Sequence, residues 1–444
     1  MPNSKTLLIQ LRYPHGGKSQ AYLPGGMLNF ASRLIVAGVD VRLVDLNLDE
    51  LSMADIIWAQ TICISVLGTP YIPSAIRLVE ELRTRGFTGK ILVGGQGVER
   101  FNQAAFDRLF SQNAIQAHEQ MDLQAIFGAE LPTLQEVSMV PALKLLCEER
   151  RALYLSQEFP LYLSQGCRFS CNFCAAAKDR PERYRLKEAF EGELNYIISE
   201  LIRIDVYRLE VYISNLDAFQ NPVQLERMLE MIHDRCKRSG IEVHVRCLST
   251  MAMFAFAARK DPELPARLKS YGLRIIAFGA DGGDKRVWAR MGKRHNSLKT
   301  LEEAVKSAQA AGYQVEILMV IGFRDDDALA MYRALRLSLY WAKRGCILRP
   351  YLGKPPIDHM EWEELKQYVE SPDLIVNLDY AAFGSRSTHP NGRQRLMVNA
   401  TYLAVMAALT PFGLNTTFPI LPLEGSRVRR ALAHTVNRFM PADR

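Results

Sequence analysis

Alternating strand and helix patterns run through most of the 444 residues of this chain and restart once, near residue 161. Short apolar runs are separated by amphipathic stretches and by loops rich in glycine and proline. Such βαβ alternation requires parallel sheets covered by helices. The chain is therefore predicted to be an α/β protein in which a Rossmann-like parallel sheet domain precedes a second parallel βα array.

The first array has predicted strands at residues 6–11, 40–45, 61–66 and 90–93. Ligands of open parallel sheets lie at the carboxyl ends of the strands. Three loops, 13–17, 65–71 and 94–99, fall at that edge. We therefore predict cofactor contacts from Ser65, Gly94 and Gly95.

The second array has predicted strands at residues 161–164, 208–213, 242–247, 273–279, 314–321 and 346–350, with helices between them. A cysteine-rich loop follows the first of these strands. Its residues Cys167, Cys171 and Cys174 have the spacing C-x3-C-x2-C. Three thiolates can hold three irons of a cubic iron–sulfur cluster and leave the fourth iron open. An open position admits a substrate or a cofactor, as it does in catalytic zinc sites.

Two alternatives to a cluster remain at this stage. Structural zinc takes four ligands, usually from paired knuckles, and the other cysteines (Cys63, Cys147, Cys236, Cys247 and Cys346) are isolated. Free cysteines also occur as small buried apolar residues. The three-cysteine loop is thus interpreted as a [4Fe–4S] site, with zinc or simple packing as the alternatives.

The cysteine spacing resembles the signature of the radical S-adenosylmethionine (radical SAM) superfamily, in which an aromatic residue precedes the third cysteine. Phe173 fills that place. The resemblance implies that the open iron chelates SAM, and that the reduced cluster splits SAM into methionine and a 5′-deoxyadenosyl radical. It also implies a partial (β/α)6 barrel with its chemistry at the carboxyl ends of the strands.

Polar residues after two barrel strands are candidates for binding SAM. Ser214, Asn215 and Asp217 resemble the short motif that meets the methionine amino group in this family, and such acceptors suit an ammonium. Asn and Asp are also preferred helix caps, so capping is a compatible alternative. Asp281 lies in a turn that resembles the glycine-acid turn of the family, and Lys293 resembles a lysine that follows it.

Further SAM contacts are expected on other barrel strands. Arg246 offers a guanidinium for the SAM carboxylate, with a structural salt bridge as the alternative. Ile321 and Gly322 end a strand beside the expected adenine position, where Ile321 and Phe173 would supply apolar faces. Ordinary core packing competes with each of these roles.

The first array resembles the cobalamin-binding domain that precedes many radical SAM domains, through residues 23–26, 37–41, 64–66 and 93–95. The D-x-H-x-x-G motif, whose histidine binds cobalt, is absent from the sequence, and residues 117–120 replace the usual acidic turn. The domain either binds cobalamin without that ligand or is a Rossmann-like cover that has lost its cofactor.

These features predict four segments: a cobalamin-binding-like domain (1–130), a linker (131–160), a radical SAM partial barrel (161–350) and a mainly helical C-terminal cap that contacts substrate (351–444). Residues 397–409 are predicted to be a helix of this cap.

Composition restricts the partners and the compartment. The net charge of +7 is mild and its basic residues are dispersed, which argues against a nucleic-acid surface. The apolar run at 402–409 is too short to cross a bilayer. Eight cysteines in 444 residues do not suggest a disulfide framework, and an oxygen-sensitive cluster favours the reducing cytoplasm.

Three functions follow from the sequence. The first is a radical SAM methyltransferase that uses cobalamin to methylate an unactivated carbon of a small metabolite or natural-product intermediate, with flavodoxin or ferredoxin as electron donor. The second is a radical dehydratase, rearranging enzyme or cyclase that acts without cobalamin, for example on a sugar diol. The third is a non-catalytic iron–sulfur or zinc protein.

Overall fold

The computed structural model describes residues 4–12, 23–68, 71–99, 101–118, 121–171, 174, 181–321, 326–352, 362, 363 and 366. The chain forms two compact units. The first is drawn from residues 1–166, 179–215 and 227–245, and the second from residues 167–178, 216–226 and 246–444. The predicted helix at 397–409 lies outside the described residues.

The N-terminal part of the first unit is a five-stranded parallel sheet. Its strands are β1 (Lys5–Gln10), β2 (Asp40–Asp45), β3 (Thr61–Ser65), β4 (Lys90–Gly94) and β5 (Ile115–Gln116), in the order β2-β1-β3-β4-β5. Its helices are α1 (Gly25–Val36), α2 (Met53–Trp58), α3 (Ile72–Thr84) and α4 (Gln103–Leu109). The predicted Rossmann-like arrangement is confirmed.

The central strand β1 explains why this sheet is covered on both faces. Leu7, Leu8 and Ile9 are successive residues, so they point to alternate faces, and all three are buried. A strand that is apolar on both faces is typical of a parallel sheet between helix layers. The register aligns Gln10 of β1 with Ser65 of β3, and Ser65 with Gly94 of β4.

The connecting segment contains α5 (Leu123–Phe127), α6 (Val140–Leu143) and α7 (Glu148–Leu155). Charged and polar contacts attach it to the first sheet. Arg150 of α7 binds Asp49 through both terminal nitrogens, and the hydroxyl of Tyr154 donates to Asp45. Because Tyr154 is buried beside this carboxylate, the pKa of its phenol is raised by burial and by Asp45. These bonds fix α7 against the end of β2.

The second array builds a six-stranded sheet in the order β13-β12-β11-β10-β9-β6. Its strands are β6 (Phe159–Leu161), β9 (Arg208–Ile213), β10 (Glu242–Ser249), β11 (Leu273–Gly279), β12 (Gln314–Ile321) and β13 (Ile347–Leu352), and a two-stranded ribbon pairs β7 (Ser164–Gln165) with β8 (Arg183–Tyr184). Its helices are α8 (Lys187–Arg203), α9 (Pro222–Arg238), α10 (Met251–Lys260), α11 (Leu264–Ser270), α12 (Lys285–Arg290), α13 (Leu298–Ala310) and α14 (Ala328–Ala342).

The first strand of this array differs from its prediction. The sequence predicts a strand at 161–164, whereas β6 ends at Leu161 and Ser164 begins the separate ribbon strand β7. Asn215 explains the break, because its Oδ1 accepts from the backbone amides of Leu163 at 3.2 Å and Ser164 at 3.1 Å. A side chain therefore takes the hydrogen bonds that a neighbouring strand would otherwise receive.

A search of the helices in the described ranges found none with the length and apolar character needed to cross a membrane.

Candidate active site

The three cysteines of the C-x3-C-x2-C loop lie in the second unit, are half-buried and form no disulfide. The backbone amide of Cys174 donates to the carbonyl of Cys171 at 3.1 Å. The pKa of the Cys171 thiol is raised to about 11, mainly by burial; Lys293 lowers it, while Cys174, Asp281 and Cys167 add to the rise. The thiols are thus close enough to interact, and a nearby cation offsets their combined negative charge as thiolates.

The three thiols fit the iron–sulfur cluster that their spacing predicts. Among the described residues, no three His, Cys, Asp or Glu side chains converge as ligands of one metal ion. The thiolates of a cubic cluster bind three different irons, so they need not converge on one point. Thiolate is also a preferred ligand of the irons in such clusters.

Gln220 holds the cysteine loop in place. The backbone amide of Arg168 donates to Oε1 of Gln220 at 2.7 Å, and Nη2 of Arg168 donates to the backbone carbonyl of Gln220 at 3.0 Å. Gln220 is only 5% exposed and ends a short 3₁₀ helix, Ala218–Gln220. The residue next to the first cysteine is therefore attached to a buried element, a contact that no sequence motif indicated.

Asp217 begins this 3₁₀ helix and is fully buried. Its Oδ1 accepts from the amide of Phe219 and the hydroxyl of Ser249, both at 3.1 Å, and its Oδ2 accepts from the hydroxyl of Thr250 at 2.8 Å. Burial raises the pKa of Asp217 to about 6, although these hydrogen bonds lower it in part. These contacts agree with the capping alternative; a SAM contact for Asp217 stays a prediction.

Asn215 and Ser214 lie at the end of β9 in the first unit. Nδ2 of Asn215 donates to the hydroxyl of Ser164 at 2.7 Å, in addition to the two backbone amides that its Oδ1 accepts. The amide of Ser214 donates to the carbonyl of Leu161 at 3.0 Å. Both residues join β9 to the start of the ribbon, and their predicted contact with the SAM amino group stays a prediction.

A buried ion pair follows β11 in the second unit. The ammonium of Lys293 binds the carboxylate of Asp281 and also donates to the carbonyl of Gly279 at 3.1 Å. The side chains of Lys293 and Asp281 are 7% and 6% exposed. Burial alone would lower the pKa of Lys293, but Asp281 and the thiols of Cys171 and Cys174 raise it. The pair therefore places a buried positive charge near the cysteine loop.

The turn that carries Asp281 has an unusual backbone. Asp281 has a φ of 33°, and Gly282 and Gly283 follow at 79° and 84°. A Cβ on Gly282 would lie 2.4 Å from Cγ1 of Val287, so this position requires glycine. A non-glycine residue with positive φ at a polar strand end is typical of functional sites. The structure places Asp281 in this turn after β11, and its predicted contact with SAM stays a prediction.

The segment after Lys293 packs against the cysteine loop. The imidazole of His295 stacks on the ring of Phe169 with centroids 4.0 Å apart. Phe169 lies between Cys167 and Cys171, so this stack holds the middle of the loop. Burial and the charge of Lys293 lower the pKa of His295 to about 4. Sequence reasoning missed His295 because an isolated histidine in a loop gives no periodic signal.

Arg246 on β10 belongs to a charged cluster in the second unit. Nη1 of Arg246 lies 3.7 Å from a carboxylate oxygen of the buried Glu316, while Arg349 binds the same carboxylate through Nε at 3.0 Å and Nη2 at 2.6 Å. The sequence analysis did not predict the contact of Arg349 with Glu316. This geometry agrees with the salt-bridge alternative, and the predicted role of Arg246 toward the SAM carboxylate stays a prediction.

At the carboxyl edge of the first sheet, the backbone after β3 and the backbone after β4 approach each other closely. The amide of Val66, just after β3, donates to the carbonyl of Gly94 at 2.8 Å. Gly95 follows with a φ of 105°, and a Cβ there would lie 2.6 Å from the carbonyl oxygen of Val66. Only glycine fits this crossing. Ser65, Gly94 and Gly95 do meet at the predicted edge, and their contact with a cofactor stays a prediction.

Two candidate residues, Phe173 and Gly322, lie outside the described residues, as does the 13–17 loop. Ile321 is the last residue of β12, where only its backbone is described.

Comparisons with known proteins agree with this architecture. Residues 161–335 match the profile of the Radical SAM superfamily. The chain is 23% identical over 336 residues to hopanoid C-2 methylase of Rhodopseudomonas palustris (strain TIE-1), a match that covers 72% of this chain and 60% of that protein. The chain thus spans less than two thirds of this curated relative.

Two solved enzymes share the fold. The radical S-adenosylmethionine methyltransferase TsrM of Kitasatospora setae, solved with tryptophan substrate and the SAM analogue aza-SAM, is 11% identical, with a TM-score of 0.61 over 98% of this chain and 96% of that chain. TsrM has also been solved with cobalamin and a [4Fe–4S] cluster. The cobalamin-dependent S-adenosylmethionine radical enzyme OxsB is 15% identical, with a TM-score of 0.59 over 83% of this chain and 55% of that chain.

The profile covers the cysteine loop and most of the second array. Residues 161–335 are therefore similar to the radical SAM domain, and they follow a Rossmann-like N-terminal sheet.

Proposed function

We propose that this protein is a cobalamin-dependent radical SAM methyltransferase that methylates a carbon of a small metabolite. The observation that carries the proposal is the order of its parts: a glycine-lined Rossmann-like sheet followed by a three-cysteine radical SAM domain. TsrM, which shares the fold over 98% of this chain, has been solved with cobalamin and a [4Fe–4S] cluster. The curated relative is named a methylase.

Cys167, Cys171 and Cys174 would ligate the cluster, and the edge formed by Ser65, Gly94 and Gly95 would accept cobalamin. When bound, these groups supply a low-potential electron, an adenosyl radical from SAM and a carrier for a methyl group. The protein's own contribution is to fix the loop through Gln220 and to hold a buried cation, Lys293, near the thiolates.

An electron donor such as flavodoxin or ferredoxin is part of this proposal, because reduction of the cluster needs an external electron. The cytoplasm is proposed as the compartment because oxygen would destroy such a cluster. The substrate is proposed to be a small molecule.

A second candidate is a radical dehydratase, rearranging enzyme or cyclase that does not use cobalamin. The observation that favours it is the lack of the D-x-H-x-x-G cobalt-binding motif in the sequence. Under this alternative the first sheet would be a cover without a cofactor.

Transfer of a labelled methyl group separates the two candidates. The reconstituted enzyme would be incubated anaerobically with reductant, cobalamin, CD3-labelled SAM and a metabolite extract from a strain that lacks this protein. Methyl transfer predicts a metabolite that gains one CD3 group, and the Cys171→Ala variant should form none. Formation of 5′-deoxyadenosine and a changed metabolite without label would instead support the second candidate.

A further inference from the structure

A cavity of about 490 Å³, here called the amino-edge cavity, opens at the amino edge of the first sheet. It is lined by the first residues of three neighbouring parallel strands, Thr61 of β3, Lys90 of β4 and Ile115 of β5. Gly94 ends β4 at the opposite edge, roughly 13 Å away at about 3.3 Å per strand residue. The amino-edge cavity is therefore separate from the edge that we propose for cobalamin.

The lining of this cavity carries positive charge and no negative charge. Arg83 and Lys90 are its charged residues, and no Asp or Glu occurs among the described residues that line it. Neither cation forms an ion pair with a carboxylate in the described part of the chain. The remaining polar side chains of the lining are neutral: Ser4, Gln60, Thr61, Thr88, Gln112 and Asn113. A ligand that balances the charge of this lining is an anion.

Neutral groups hold the guanidinium of Arg83 in one orientation. Its Nε and Nη2 donate to the carbonyl of Asn113 at 3.2 and 2.7 Å, and its Nη1 donates to the carbonyls of Phe87 at 2.8 Å and Gly89 at 2.9 Å. The ring of Phe87 lies 5.8 Å from the guanidinium. Burial lowers the pKa of Arg83 from its ordinary value. The charge of Arg83 is thus fixed in position but is not neutralised by a carboxylate.

One donor of Arg83 remains for a ligand. A guanidinium has five N–H groups, and the carbonyls of Asn113, Phe87 and Gly89 take four of them. No contact among the described residues uses the second proton on Nη2. Arg83 therefore meets a ligand with a held charge and a free hydrogen-bond donor.

Apolar surface lines the cavity beside these cations. Ile115, at the start of β5, is 39% exposed, and Ile126 of α5 is half-buried. Both side chains would lose contact with water if a ligand covered them, which is favourable. The volume of the cavity is in the range of small-molecule sites. The lining thus fits a molecule with an anionic head and a short apolar body.

We propose that the amino-edge cavity binds a small organic anion, whose charged head meets Arg83 and Lys90 and whose apolar body covers Ile115 and Ile126. All of these residues belong to the first unit. The proposal uses neither cobalamin nor SAM chemistry, so it is independent of the proposed function. It assigns a second ligand to the first sheet, at the edge opposite to the one that we propose for cobalamin.

Three probes separate the contributions of charge and of apolar surface. 4-Methylpentanoate carries a carboxylate and an apolar body, 4-methylpentanamide has the same shape without the charge, and inorganic phosphate has charge without the apolar body. Each would be titrated into the full-length, reconstituted protein by calorimetry at low salt, because salt screens exposed charges.

4-Methylpentanoate should bind the wild type with a millimolar or tighter dissociation constant. The amide should bind about tenfold more weakly or worse, because it loses charge-assisted hydrogen bonds. Phosphate should also bind more weakly than 4-methylpentanoate. No binding of 4-methylpentanoate, or an equal affinity for the amide or for phosphate, would overturn the proposal without any variant being needed.

Two variants locate the bound anion. Lys90→Met removes one cation and should weaken the binding of 4-methylpentanoate by about three- to tenfold. Thr88→Glu places a competing carboxylate in the lining and should weaken it as well, while the affinity for the amide stays the same. Lys90 and Thr88 are exposed, so both variants should fold.

Lys187→Met makes the same change as Lys90→Met at a side chain of α8 that is 70% exposed and does not line the cavity. This control should bind 4-methylpentanoate as the wild type does. If Lys90→Met and Thr88→Glu also bind it with wild-type affinity, the anion lies elsewhere and the proposal is wrong.

Discussion

The backbone amide of Arg168 and the side-chain oxygen of Gln220 lie 2.7 Å apart, which connects the residue next to Cys167 to a buried 3₁₀ helix. Gln220→Ala removes this acceptor and should leave the loop less ordered, because each such bond stabilises by about 1 kcal/mol. We expect less iron and sulfide per chain after reconstitution. Gln220→Glu keeps the acceptor and should load normally.

Gln224→Ala, four residues further along the chain, is the control for Gln220→Ala and should load as the wild type does. Equal iron content in Gln220→Ala and the wild type would show that the loop does not depend on this contact.

The buried pair of Lys293 and Asp281 should behave as a coupled unit. Lys293→Met leaves a buried carboxylate without its cation, and we expect the free energy of unfolding of the cluster-free protein to fall by about 3–5 kcal/mol. The double variant Lys293→Met/Asp281→Asn removes both charges and should recover part of that loss. Urea unfolding of Lys293→Met, Asp281→Asn and the double variant measures the coupling free energy between the two side chains. Additive losses would contradict a direct interaction.

Asp217 should make stability depend on pH in the acid range. Its pKa rises from 3.8 to about 6 on folding, so the folded state holds this proton more tightly than the unfolded state does. The resulting stability is present below pH 3.8 and is lost as the pH rises to about 6. Asp217→Asn should therefore gain stability relative to the wild type across that window, by on the order of 2–3 kcal/mol.

Chemical unfolding at several pH values between 4 and 7 tests this dependence. The hydroxyls of Ser249 and Thr250 can turn to accept from an amide, so the asparagine variant should fold. A difference between wild type and variant that does not change with pH would contradict the raised pKa of Asp217.

The sheet edge that we propose to bind cobalamin should need glycine at position 95. A Cβ at Gly95 would lie 2.6 Å from the carbonyl of Val66, at a φ of 105°, so Gly95→Ala must shift the backbone of this edge. We expect Gly95→Ala to lose cobalamin, measured by absorbance after gel filtration. Gly26→Ala, where a Cβ meets nothing within 4 Å, should keep it. Equal cobalamin content in the two variants would place the cofactor elsewhere or exclude it.

The strands were predictable where periodicity and turn residues agree. The predicted ranges 208–213, 273–279 and 314–321 are the strands observed, because each is rich in apolar residues and lies between clear breaks. The first strand of the second array could not be predicted correctly, since the carboxamide of Asn215 interrupts the backbone pairing after Leu161. Local sequence patterns carry no information about a side chain that is 51 or 52 residues away.

The candidate site also contains some residues that the sequence predicts and others that it does not. Cys167, Cys171 and Cys174 are recognisable because their spacing is local, and Asp281 because a glycine-rich turn accompanies it. The contacts of Gln220 and His295 depend on chain segments that are distant in sequence. They became visible only once the fold had brought the cysteine loop to the 3₁₀ helix and to the segment after α12.

Electron paramagnetic resonance of the reduced cluster tests the central claim most directly. We predict that the reconstituted, reduced wild type shows the signal of a [4Fe–4S] cluster and that addition of SAM shifts its g values, because SAM binds the open iron. Cys171→Ala should lack this response. A wild-type cluster signal that SAM leaves unchanged would contradict a SAM site at these three cysteines.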